Sequence, residues 1–500
     1  MRSRSLIVAL AVALTGSACG ARLNDDQRAA GINVLAGGSG GDTAAGDGAG
    51  GLAGGDFSGV DGTTDFGGTL GGSGGGSGGG SGGSGSVGGA GTGGTGGTGD
   101  TGGTGDTGGT GDTTTPTTPA GGNGGATDVG VTGDRIVIAT LADVQGPRPG
   151  LFKSAHQAVA AFSAYINSQG GIFGRSVQPV LIDSKTSSAE YRAGVLDACD
   201  NAFALVGSMS AFDDTAKQAL EGCGIPDIAA IPTAQSHVDA ATTYPAFPSR
   251  TDTVGTGTAA YMVKKYPNAV KNAAILYINA AAGENNKRSR RAAWEKTGFT
   301  FIYEAAIQVV EPNLTPFITQ MRDRGVEYVN FVGDNDTIAR ILKAADQQGW
   351  KPQVWDWDSV AYDPRFPAKA GDAGEGSHIF TGTALWDEGG NAEMNLYLEW
   401  LKRVAPTAQP DFFGVYAWSA ARLFTDAAIK VGPKLTRKGI LAELSKWSSW
   451  DGHGLHGAHQ IGAKRPGKCF TYVTLTGGKF VREYPSSGLE CTLGAVQSTG

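Results

Sequence analysis

Two groups of residues in this 500-residue chain have side chains suited to holding a small polar ligand. The first comprises Ser208-Met209-Ser210-Ala211 and Pro232-Thr233-Ala234-Gln235. Each run follows a strand-like apolar segment and precedes a helical one. Ser210 and Thr233 offer hydroxyls, and the nearby backbone N–H groups at a helix start suit an anion such as a carboxylate. The same hydroxyls could equally cap their helices. The second group is acidic: Gly333-Asp334-Asn335-Asp336, and Asp358 after Trp355-Asp356-Trp357. A carboxylate in a half-buried cleft is unfavourable unless a cation meets it, so Asp358 favours an amine-bearing ligand. Against that stands a solvated acid or a cap after a strand. Trp355 and Trp357 alternate with the acids; such rings are usually core, but one facing a cleft could cover a ligand.

Other chemistries find less support. His453, His456 and His459 lie in a Gly-rich stretch without a nearby acid or cysteine at ligand spacing, so no metal is expected. Gly170-Gly171 and Gly174 lack the spacing of a dinucleotide fingerprint, and no P-loop, nucleophile elbow or zincin motif occurs. No cofactor and no catalytic residue is implied, and the chain does not read as an enzyme. Lys287-Arg288-Ser289-Arg290-Arg291 reads as a solvated helix face.

The elements that must carry these loops alternate in type. Arg135 to Leu141 is a buried-strand candidate. Ala158, Ala161, Phe162, Tyr165 and Ile166 recur at helical spacing, and Gly170 and Gly171 then stop that helix. Val177 to Asp183 is again strand-like, which completes a βαβ unit and implies a parallel sheet. Strands around Ala202–Gly207 and Asp227–Ile231 continue the pattern, with helices between. Beyond Arg250 the alternation resumes, with strands at 273–278, 301–304, 328–333 and 353–357. Two doubly wound α/β lobes follow, and in such sheets ligands bind at the C-terminal strand ends.

Composition divides the chain. Most of its 83 glycines precede residue 128, and from about Gly20 to Thr127 apolar residues are too sparse for a core. That stretch reads as a disordered Gly/Ser/Thr-rich tether. Before it, Arg2 and Arg4 precede an apolar run from Leu6 to Leu14, an export signal too short to span a membrane. Gly16-Ser17-Ala18-Cys19 resembles a lipobox, with Cys19 as lipid attachment site, although Gly16 stands where leucine is usual. A formal charge of −7 argues against a nucleic-acid partner. The other four cysteines allow three pairings; Cys199–Cys223 and Cys469–Cys491 each close a short loop, and reduced thiols are the alternative.

The turn Asn167-Ser168-Gln169-Gly170-Gly171-Ile172-Phe173-Gly174, with Gln145-Gly146-Pro147 after the first strand, resembles the type I periplasmic binding proteins. Within them it is most similar to the branched-chain amino-acid binders of ABC importers. The resemblance implies lobes of 128–250 with 383–455 and of 251–382 with 456–495, joined by a three-segment hinge whose last crossing lies near Leu455 to Ile461. It implies an extracytoplasmic, membrane-anchored monomer that closes on a small ligand and docks on an ABC permease; a sensory receptor subunit without transport is the alternative. It also implies a disulfide like Cys199–Cys223 and ligand contacts by Ser210, Ala211, Thr233, Gln235, Asp334 and Asp358. Two departures stand out: Ala282 and the Gly333-Asp334-Asn335-Asp336 loop replace tyrosines of the amino-acid binders, which widens the site and adds charge.

Overall fold

The computed structural model describes residues 122–499. The expected signal peptide, the lipid attachment at Cys19 and the tether up to residue 121 lie outside the described residues. The folded part begins earlier than position 128. Arg175, fully buried, donates to the carbonyls of Asn123, Gly125, Thr132 and Pro433, so residues 123–125 are part of the packed structure.

The strands are β1 Arg135–Ala142, β2 Ser176–Asp183, β3 Ala204–Val206, β4 Asp227–Ile228, β5 Thr253–Gly255, β6 Ala273–Ile278, β7 Phe301–Ile307, β8 Tyr328–Val332, β9 Val354–Trp357, β10 His378–Thr381, β11 Thr471–Thr476, β12 Lys479–Tyr484 and β13 Val496–Ser498. The helices are α1 Lys153–Ser168, α2 Ser188–Asn201, α3 Ala216–Cys223, α4 Gln235–Val238, α5 Gly257–Lys265, α6 Ala281–Glu295, α7 Thr315–Asp323, α8 Asn335–Gln347, α9 Phe366–Ala370, α10 Ala392–Val404, α11 Phe412–Val431 and α12 Arg437–Leu444. Among the described residues no helix is long and apolar enough to cross a membrane.

Two parallel sheets organise two lobes. The first has the order β2-β1-β3-β4 and the second β12-β11-β10-β9-β8-β6-β7. In the second, β7, β6, β8, β9 and β10 run parallel, and the hairpin β11–β12 extends one edge, with β11 antiparallel to β10. Helix α11 explains why the first lobe needs chain from both sides of the second. From Val415 to Ala428 it is nearly all buried, and it packs on α1, with Trp418 edge-on to Phe162 at 4.9 Å. The turn after α1 requires glycine: Gly171 has φ +72°, and a Cβ there would sit 2.0 Å from the carbonyl oxygen of Arg175.

The chain passes between lobes three times, near 250–253, 381–384 and 466–469. The last crossing lies beyond the expected position. Leu455 and Ile461 are fully buried in the first lobe's core, and His459 forms a backbone bridge with Trp450 there, so residues 456–465 remain with the first lobe. Their apolar side chains and the Trp450 pairing hold them back from the second sheet. Both expected disulfides are present, Cys199–Cys223 and Cys469–Cys491.

Candidate functional site

A cleft of about 920 Å³ opens between the lobes. It is walled by loops that follow β1, β3 and β4 on one side and β6, β8 and β9 on the other, the C-terminal strand ends where ligands of parallel sheets bind. Its floor is the hinge, including Gly382 and Pro466 to Phe470.

In the first lobe the two hydroxyl loops are locked by buried acids. Asp143, at the end of β1, accepts from Ser184 Oγ at 2.6 Å, Ser210 Oγ at 2.8 Å and the Ala211 N–H at 2.8 Å. Asp213 accepts from the Thr233 N–H and hydroxyl, both at 2.7 Å, and from the Ala234 N–H at 2.8 Å. Behind it, His237 bridges Asp213 and Asp227, with 2.7 Å on each side, and Thr243 also donates to Asp227. Burial opposes a charge on His237, but the two flanking carboxylates win and hold its pKa at about 10. Ala211 and Thr233 line the cleft, whereas Ser210 is fully buried behind it and aims at Asp143. Gln235 also points elsewhere: its carbonyl oxygen accepts from the Thr251 N–H and hydroxyl, bracing the first interlobe crossing.

In the second lobe Asp334 and Asp358 both line the cleft and both begin helices. Asp334 caps α8 through Thr337, and Asp358 caps the 3-10 turn 359–361 through Val360. Asp358 has a cation, but it comes from the protein. Arg290 of α6 donates to it at 3.1 Å and to Asn330 Oδ1 at 2.9 Å. The guanidinium lies 5.7 Å from the Trp294 ring centre and 5.6 Å from that of Phe380. Desolvation pushes the Asp358 carboxyl above its usual range, while Arg290 and the Val360 N–H pull against it. The basic run 287–291 is therefore not simply a solvated face. Lys287 is buried against Glu304 and Glu284, and Arg290 turns into the cleft. The signal for Arg290 was its phase: it shares a helix face with Asn286 and the buried Trp294, four residues to either side.

Two ion pairs span the cleft. Arg148, in the loop after β1, meets Asp334 in the other lobe. Asp411, which caps α11 through Gly414, lies 3.9 Å from Arg365 of the second lobe, whose closer partner is Asp363. Burial raises the Asp411 pKa to about 6, against hydrogen bonds that lower it. Neither Arg148 nor Asp411 was singled out from sequence, because their partners lie across the gap.

Apolar groups make up much of the remaining wall. Phe212, Phe247, Phe412 and Phe413 are half-buried on the first lobe, and Phe380 on the second. Trp355 and Trp357 do not reach the cleft. They stack at 5.3 Å inside the second lobe's core, and Trp357 Nε1 donates to Ser377. The three histidines each have a local partner: His453 with Asp426, His456 with Ser419, and His459 with the Gly467 N–H.

A sequence profile described as "Periplasmic binding protein" matches residues 135–479. The chain belongs to that family. Periplasmic binding proteins act outside the cytoplasm, and the matched span includes all three crossings and most of both lobes. Similar solved structures include the fatty acid ABC transporter substrate-binding protein from Thermomonospora curvata, at 20% identity and TM-score 0.61, covering 75% of this chain and 97% of that one. The branched-chain amino acid transporter substrate-binding protein LivJ from Streptococcus pneumoniae, in complex with isoleucine, is 15% identical with TM-score 0.59, covering 70% and 100%. A substrate-binding periplasmic protein from Ralstonia solanacearum is 17% identical with TM-score 0.60, again covering 70% and 100%. At these identities the likeness is one of fold. No curated protein matches the chain.

Proposed function

We propose that this chain is the solute-binding component of an ABC importer. A small organic ligand enters the cleft between the open lobes, hinge closure desolvates it, and the closed form docks on a membrane permease. The observation that carries this reading is the 920 Å³ cleft, walled by strand-end loops of both lobes and spanned by the Arg148–Asp334 pair. A cleft of that size lies at the upper end of the range of small-molecule sites, about 300–1,000 Å³. The ligand shifts a population between open and closed forms and is not chemically changed. Ala211, Thr233, Asp334 and Asp358 are the cleft residues of the expected contact set. Ser210 and Gln235 act on the ligand through Asp143 and through the hinge. Attachment through Cys19 keeps the protein at the membrane, where its permease lies.

The relatives' ligands point in two directions, isoleucine for one and a fatty acid for another. The experiment is small-angle scattering of the full chain with a panel of amino acids, amides, carboxylic acids, sugars and polyamines. A compaction that saturates with one compound class, paired with stimulation of a co-reconstituted permease's ATPase, is the expected result. Compaction without any effect on transport would favour a sensory receptor subunit.

A further inference from the structure

Resting on that reading, we infer that the ligand is a solute with an aromatic or similarly bulky apolar body, without a zwitterionic head group. The hydroxyl and N–H donors of the two first-lobe loops that suit a carboxylate already hold one. Ser210 Oγ and the Ala211 N–H bind Asp143, and the Thr233 hydroxyl and N–H, with the Ala234 N–H, bind Asp213. Both acids are at most 1% exposed, so they stand permanently behind the wall. A ligand carboxylate placed there would face two buried carboxylates and find these donors engaged. Across the cleft, Asp358 is already neutralised by Arg290, whose other end is fixed by Asn330. A ligand ammonium would have to break that pair. Each end of a zwitterion would thus lose water without an equivalent partner, and an unmade bond to a buried polar group costs about 1–3 kcal/mol.

What the cleft leaves free is ring surface. Phe413, Phe247 and Phe412 are half-buried in the wall; the buried Phe152 backs Phe413 edge-on at 4.8 Å, and Phe247 and Phe412 pair at 6.0 Å. Opposite them, the half-buried Phe380 lies beside the Arg290 guanidinium, while Trp294, on that guanidinium's other contact, is buried in the core. Lobe closure brings these two surfaces over the same space, and a planar ring between them gains both burial and edge or face contacts. Ala282, a small residue in the first turn of α6, leaves room for that ring.

The test is titration calorimetry of the full chain with phenylacetamide, phenylacetate, phenylalanine and leucine, with scattering to read closure. The expected result is that phenylacetamide or phenylacetate binds and compacts the protein, at least about tenfold more tightly than phenylalanine, as one unpaired polar end requires. Which of the two binds more tightly distinguishes an uncharged from a singly charged head. Phe413→Ala and Phe380→Ala, checked for unchanged melting temperature, should each weaken that binding about tenfold. Tighter binding of phenylalanine or leucine would overturn the inference and leave solute binding intact. So would compaction by a sugar or polyamine alone. If no compound of the wider panel binds, the solute-binding reading itself falls, and this inference with it.

Discussion

The two walls of the cleft neutralise charge in different ways. In the first lobe, Asp143 and Asp213 sit behind the loops, at most 1% exposed, and accept hydrogen bonds from backbone and hydroxyl groups that would otherwise face the ligand. In the second, Asp334 and Asp358 stand in the wall itself, with side chains 18% and 14% exposed, and arginines meet them. A buried acid held by several donors is a fixed strut, because removing it leaves every donor unsatisfied. A partly exposed ion pair is weaker and screened by salt, so it can break and reform. The first lobe therefore presents a set surface, and the second carries the adjustable contacts, one of which reaches across to Arg148.

This contrast can be broken at four points. The largest effect is expected for Asp213→Ala, which leaves one ring nitrogen of His237 and the Thr233 and Ala234 N–H groups without their acceptor. Thermal and denaturant unfolding of the full chain should show a loss of about 3–5 kcal/mol, the range for breaking a buried charged pair. A loss below about 1 kcal/mol would mean the first lobe's loops are not held by this acid.

Next comes the pH dependence of the same strut. His237 has a folded pKa of about 10, above its unfolded value of 6.5. Its contribution is fully present below pH 6.5, declines as pH rises above that, and is lost as pH passes through 10. Wild-type stability should fall by a few kcal/mol between pH 7 and 10, and His237→Gln should flatten that slope. An unchanged slope in the variant would place the titrating group elsewhere.

Asp358→Ala should be milder, about 1–2 kcal/mol, because Arg290 keeps Asn330 and part of its hydration. Its signature is a gain of affinity for carboxylate ligands, measured by calorimetry, since a guanidinium is released. The smallest effect on stability belongs to Asp334→Asn, under about 1 kcal/mol. It should still shift the unliganded protein towards the open form in scattering, and the shift should vanish when wild type is measured in high salt. If Asp334→Asn leaves the scattering profile unchanged, the Arg148–Asp334 pair does not bias closure.

Much of the fold was legible because it rests on local patterns. The apolar periodicity of α1, the stop at Gly170 and Gly171, and the run of strands from β6 to β9 are all set by neighbours in sequence. The site was legible only in part. Of the candidate residues, Thr233, Ala211, Asp334 and Asp358 line the cleft, at the strand ends where parallel sheets place ligands. Ser210 and Gln235 have the right types but serve Asp143 and the Thr251 crossing. A serine's hydroxyl carries no mark in the sequence of whether its acceptor is a ligand or a buried acid after the neighbouring strand of the sheet.

The third crossing shows the same limit. Residues 456–465 looked free to leave the first lobe, but Leu455 and Ile461 find their core there. The sequence by itself determined two α/β lobes, their order, the cysteines available to pair and the loops that face one another. Only the tertiary structure decided which polar groups meet: Arg290 with Asp358, Arg148 with Asp334, Asp143 with Ser210. The physical reason is range. Helix and strand patterns arise from contacts a few residues apart, whereas a charge takes its partner from sheet order and lobe approach, which the spacing of residues along the chain does not specify.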